Sequence, residues 1–125
     1  MDNPLMDVEG ARQQLEDWMA RAEQRAAETQ AAAAGLQALL ITATDDNGIV
    51  ETTIDHSGNL VDVRVNDRVT RQPAPFTARA MLQAYQNAKR KLAEAAAEVV
   101  RETVGADSPT GRALMAGFPT GDGEV

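Results

Sequence analysis

Cysteine is absent from the 125 residues. That excludes a disulfide framework and any thiolate metal site, and it suits a reducing cytosol. Aromatic side chains are scarce: Trp18, Phe76, Tyr85 and Phe118 are the whole set. Much of the apolar content is alanine, which favours helices but fills little volume. A lone chain should therefore build a thin core and gain from a partner. The only histidine, His56, falls in an expected turn, and neither Ser57 nor Ser108 lies in a nucleophile elbow. No general acid–base set can be assembled from these residues, and no glycine-rich phosphate loop is present, so an enzyme is not expected. Asp45, Asp46 and Asp55 are residues that tight turns select, which is a simpler account than a cation site. No metal and no cofactor are expected. No apolar run approaches the ~20 residues of a membrane helix. Met1 to Asp7 also lacks the basic and apolar regions of a signal peptide. The expectation is a cytoplasmic protein with no membrane contact.

What is present centres on residues 39–66. Leu60-Val61-Asp62-Val63-Arg64-Val65-Asn66 alternates with a period of two, the pattern of a strand with one buried and one wet face. Ile49 to Asp55 alternates in the same way, and Leu39 to Thr44 is a third candidate. Asp45-Asp46-Asn47-Gly48 ends in the Asn-Gly pair typical of hairpins. Asp55-His56-Ser57-Gly58-Asn59 makes the second turn. Connections this short force antiparallel neighbours, so residues 39–44, 49–55 and 60–66 form a meander.

A helix is expected on either side. Residues 8–37 are rich in strong helix formers, with Asp7 as N-cap. Leu15, Trp18, Ala22, Arg25, Thr29, Ala32, Leu36 and Leu39 form a thin stripe at three- and four-residue steps. At ~1.5 Å per residue such a helix far outruns a sheet about 20 Å long, so its outer half needs a second copy of the chain. The alanine run ending at Gly35 reads either as close helix approach or as plain helix propensity. Residues 67–74 read as a loop or one helical turn. A second helix covers residues 75–104, with Met81, Tyr85, Ala88, Leu92, Ala95 and Val99 in heptad steps and Gly105 as its stop. Residues 1–104 thus form one domain. Residues 105–125 read as a flexible C-terminal tail, in which Ser108-Pro109 can start a short helix through Met115. The whole is an α+β fold of order αβββα. Leu15, Trp18, Val61, Val63, Val65, Met81 and Tyr85 are the expected core or dimer-interface residues.

The net charge is −7, from 12 basic and 19 acidic residues. That opposes binding to phosphate, but the charge is unevenly spread. Residues 64–91 hold seven basic residues and one acid, Asp67, a local charge of +6. Six of them, Arg68, Arg71, Arg79, Lys89, Arg90 and Lys91, are the candidate nucleic-acid contacts, presented twice by a dimer. The plainer reading makes Lys89-Arg90-Lys91 a solvated helix face, with Arg90 and Lys91 pairing Glu94. There is no helix-turn-helix signal, zinc ligand set or aromatic platform.

Several features in order resemble the YbaB/EbfC nucleoid-associated proteins. They are Ile41-Thr42, the turn ending at Gly48, the run Ile49 to Asp55, the strand Leu60 to Val65, Ala84-Tyr85-Gln86-Asn87-Ala88 within the second helix, and Met115-Ala116-Gly117-Phe118-Pro119. The resemblance spans roughly residues 10–119. It implies an intertwined homodimer with protruding helices that binds double-stranded DNA with little or modest sequence preference, and the first reading is a nucleoid-associated protein that coats or bridges duplex. The alanine-, arginine- and aspartate-rich composition looks like that of actinobacterial members. Some of those are associated with type VII secretion systems, so a scaffold or chaperone with a protein partner and no DNA is the alternative.

Overall fold

The computed structural model describes residues 4–118, with side chains from residue 7 onward. The order is α1 (Pro4–Gln37), β1 (Leu40–Thr44), β2 (Val50–Asp55), β3 (Leu60–Val65), a 3-10 turn (Asp67–Arg71), α2 (Ala74–Thr103) and α3 (Pro109–Met115). The expected long helix, three-stranded antiparallel sheet and long helix are all observed. α1 begins at Pro4, so Asp7 lies in its first turn and is not the N-cap. Proline is tolerated at a helix start because the N–H it lacks would have no partner there.

The sheet order is β1-β2-β3. The β1–β2 turn closes through Asp45 N–H donating to the Val50 carbonyl at 3.1 Å and Gly48 N–H donating to the Asp45 carbonyl at 3.1 Å. Gly48 sits at φ +68°, which a residue without Cβ adopts at no steric cost. Asp45 is 2% exposed, and its carboxylate accepts the backbone N–H groups of Asn47, Ile49 and Val50. The charge that composition assigns to a turn therefore works inside the fold as a brace. Asp55 plays a milder version of this part at the second turn, accepting from Ser57 N–H at 2.9 Å and Asn59 N–H at 3.0 Å.

α2 lies across the sheet face formed by Ala43, Val50, Thr52 and Ile54. Its buried row is Ala80, Ala84, Ala88, Leu92, Ala96 and Val100, a strict four-residue step. Of the expected heptad stripe, Ala88 and Leu92 belong to it. Met81 is rotated out into solvent, because the four-step row slants around the helix as it passes from the sheet to α1. The largest fully buried side chains are Ile54, Leu92, Val50 and Val100, so the core is aliphatic and thin.

Beyond Gly105 the chain folds back. Ser108 caps α3 by accepting Gly111 N–H at 2.9 Å. Leu114, Met115 and Phe118 pack on Leu36, Ala96 and Val100. The short helix expected from Ser108-Pro109 is present. Up to Phe118, apolar side chains of this segment pack against both long helices. Residues 119–125 lie outside the described residues.

Two expected burials do not occur within the chain. Val65 pairs with Val50 and Val63 with Thr52, so these valines share the α2 face of the sheet. A register shift leaves Val61 without a partner. Yet all six residues of β3 are exposed, because α2 covers β1 and β2 and stops short of the outer strand. α1 behaves likewise. Its stripe is buried only from Ala32, and Leu15 and Trp18 stand in solvent, Trp18 at 57% exposure.

Candidate nucleic-acid interface

Successive helical residues are rotated by ~100°, so neighbours in sequence point to different sides. On α2 this separates two flanks, each fixed by hydrogen bonds to a different part of the sheet.

The first flank faces the β1–β2 hairpin. Gln83 accepts Asp46 N–H at 2.8 Å and donates to the Asp46 carboxylate at 3.0 Å. Asn87 donates to the Thr44 carbonyl at 2.8 Å, and Arg90 in turn donates to the Asn87 side chain. Arg79 lines a depression of about 230 Å³ with Asp45, Asn47, Phe76 and Gln83. Arg90 and Lys91 line the next one, of about 480 Å³, with Thr44, Asp46, Asn87 and Glu94. At the tip of the hairpin Arg68 donates to the Asn47 carbonyl at 2.9 Å. Asn66 caps the 3-10 turn and so aims this arginine, accepting Arg68 N–H at 2.9 Å. Arg71, in the same turn, is exposed.

The second flank faces β3. Tyr85 donates its hydroxyl to the Gly58 carbonyl at 3.0 Å, and its half-buried ring packs on the core of Ala43, Ile54, Ala88 and Leu92. Lys89 lies over that ring, 5.5 Å from its centre, in cation–π contact. Met81 and Leu82 are exposed, as are Val61, Val63 and Val65 of β3.

The structure therefore divides the candidate contacts. Arg68, Arg79, Arg90 and Lys91 lie along the hairpin flank, with Arg71 beside its tip. Lys89 lies on the other flank, so the run 89–91 is not one face. Arg64, also counted in the basic segment, is on the far side of the sheet, opposite Glu51 and 3.1 Å from Asp62. Among the described residues neither Arg90 nor Lys91 forms an ion pair with Glu94, although all three line one depression.

The field on the hairpin flank is weaker than the +6 of the segment suggests. Four cations share it with Asp45, Asp46 and Glu94. What the flank offers is extended donor geometry. Arg79 and Arg90 are eleven positions apart, hence about 16 Å along one side of the helix. Sequence reasoning missed Gln83 and Asn87, which anchor this flank to the hairpin. Their place between Arg79 and Arg90, four residues apart on a shared helical side, was the available signal.

Of the interface candidates, Met81 and the three valines are exposed on the β3 side of the sheet and of α2, whereas Leu15 and Trp18 lie on the projecting part of α1. Tyr85 is mainly a residue of this chain's own core. Among the described residues, no helix is long and apolar enough to cross a membrane.

Compared with models of protein families, residues 11–107 match that of the YbaB/EbfC DNA-binding family. No curated protein matches the chain significantly.

Proposed function

Since the chain belongs to the YbaB/EbfC DNA-binding family, we propose that it is a nucleoid-associated protein of the cytoplasm. It acts as a homodimer and holds duplex DNA with little sequence preference through Arg68, Arg79, Arg90 and Lys91, assisted by Arg71. The observation that carries this reading is the alignment of those cations along one flank of α2, built onto the hairpin by Gln83 and Asn87. Guanidinium and ammonium groups spaced along a helix suit phosphate contacts, which set position and affinity without reading bases. No catalytic role is assigned to any residue. The dimer is supported by the uncovered valine row of β3 beside Met81 and by the projecting α1 with Leu15 and Trp18. A single helix in water is marginal, and a self-complementary apolar patch is what a twofold interface needs.

Fluorescence anisotropy with an unrelated duplex of about 30 bp tests the reading. Four phosphate contacts per flank give log K falling with log salt at a slope of about −3.6 between roughly 50 and 200 mM. Arg79→Glu with Arg90→Glu removes that binding, whereas Lys89→Glu alone weakens it little. Unchanged binding by the double variant overturns the site, and no binding at the lower salt overturns the DNA reading. In that last case the exposed Trp18 and Met19 of α1 favour the second reading, a scaffold or chaperone for a protein partner.

A further inference from the structure

We propose that residues 105–118 are a clasp: docked, they hold the α1 arm in one direction relative to the sheet, and undocked, they let it swing. This goes beyond the DNA reading and does not depend on it.

The arm has little else to hold it. α1 is 34 residues long, yet among its described residues it buries only Ala32 and Leu36. From residue 7 to residue 31 its side chains are exposed or, at Ala22 and Glu28, half-buried. The attachment is therefore confined to the last two turns. Gln14 stands 22 positions before Leu36, about 33 Å along the helix, so a rotation of about 10° at the attachment moves it by about 6 Å.

The C-terminal segment closes over that attachment. Leu114, Met115 and Phe118 pack on Leu36 of α1 and on Ala96 and Val100 of α2. Phe118 and Leu39 also pack on the cluster of Ala43, Ile54, Ala88 and Leu92. One ring thus joins the root of the arm to the core under the sheet. The three clasp side chains are only half-buried and α3 has seven residues, so the docking is shallow and can open as a unit.

The reversal that returns the segment is tightly built. Gly105 turns the chain at φ +86°, its N–H donating to the Val100 carbonyl at 2.8 Å. Its carbonyl accepts the Ser108 hydroxyl at 2.8 Å, and Ser108 accepts the Gly111 N–H at 2.9 Å. Gly111 is buried, and a Cβ there would collide with the Gly105 carbonyl oxygen. Backbone cannot yield as the tip of a side chain does. One methyl group at position 111 therefore undocks α3 while every residue of α1, the sheet and α2 is unaltered.

The distance between two nitroxide labels tests this on the full chain, which has no native cysteine to interfere. Gln14→Cys on α1 and Gln86→Cys on α2, both exposed, are labelled. Unlabelled chain in large excess ensures that each measured pair lies on one chain. The otherwise wild-type protein is expected to give one narrow distance distribution. Gly111→Ala is expected to shift or broaden it by more than about 6 Å. Leu114→Asp, which puts a charge into the same cluster, should do the same and serves if the first variant does not fold. The Ile49 and Val50 amide resonances, which report a cluster the clasp does not touch, should stay in place. A wild-type distribution retained by both variants overturns the clasp. So does loss of those resonances in both, since the whole fold and not the arm alone then depends on the segment. A broad distribution already present in the wild type overturns it too, because the docked segment then holds nothing.

Discussion

Asp45 is the residue on which the hairpin depends most. Its buried carboxylate accepts three backbone N–H groups, at 3.2, 2.7 and 2.8 Å. Removing it leaves donors of the turn and of the start of β2 without partners. Asp45→Ala should therefore cost about 3 kcal/mol in urea unfolding, and Asp45→Asn less, since one oxygen remains. Asp55 gives the complementary case at the surface. The Asn59 backbone N–H above all lowers its carboxyl; desolvation opposes it, and the Ser57 N–H, the Asn59 amide and the His56 charge add to the lowering, so that the carboxyl lies below the ordinary range. A carboxyl lowered in the fold contributes stability at pH above its unfolded value and loses it as pH falls through the folded value. The Ser57 and Asn59 amide resonances should thus titrate together in NMR with a midpoint below that of an ordinary aspartate. A midpoint at or above that value would refute the assignment. Nothing in the sequence distinguishes Asp45 from Asp46: both stand in one turn, and only the direction of the side chain makes one structural and the other a partner of Gln83.

At the level of elements, the end of α1 closes tightly on α2. A Cβ on Gly35 would lie 2.8 Å from Val99 Cγ1. Alanine there gains about 1 kcal/mol of helix propensity but loses 1–3 kcal/mol to overpacking, because a β-branched neighbour in a helix cannot swing aside. Gly35→Ala is expected to lower stability by about 1 kcal/mol in denaturant unfolding, and adding Val99→Ala should reverse the sign of the glycine substitution. The alanine run before Gly35 left this undecided, since close approach and simple propensity write the same residues. The meander was more legible. The Asn47-Gly48 turn and the valine alternation each specify backbone geometry directly, and the strands fall within a residue of where the pattern puts them. Alternation fixes which side chains share a face, however, and is silent about what covers that face. That is why β3 reads as half-buried and is exposed. The split of Lys89 from Arg90 and Lys91 has a similar origin, since a run of like residues in sequence spreads around a helix.

For the whole molecule, the exposed α1 and β3 make solution mass the governing observable. Light scattering at micromolar concentration should give the mass of two chains, and Trp18→Asp with Val63→Asp should give one. A wild type that stays monomeric removes the dimer. The sequence pointed to self-association through helix length, a thin alanine-rich core and the family resemblance. The hairpin flank needed coordinates, because its cations come from the 3-10 turn and from helix positions far apart in the chain.

The strands pair only with their neighbours in sequence, across short turns, and α2 follows directly and covers them. Such local topology makes for a low contact order, so a newly made chain should gain its sheet and α2 rapidly and alone. Among the described residues, nothing of its own chain covers the outer half of α1. Refolding should therefore run in two stages: a first-order phase that restores the sheet, then a slower rise in helical signal whose rate grows with protein concentration. The helix that reaches furthest from its own sheet would be the last part of the molecule to form, and it would form only in company.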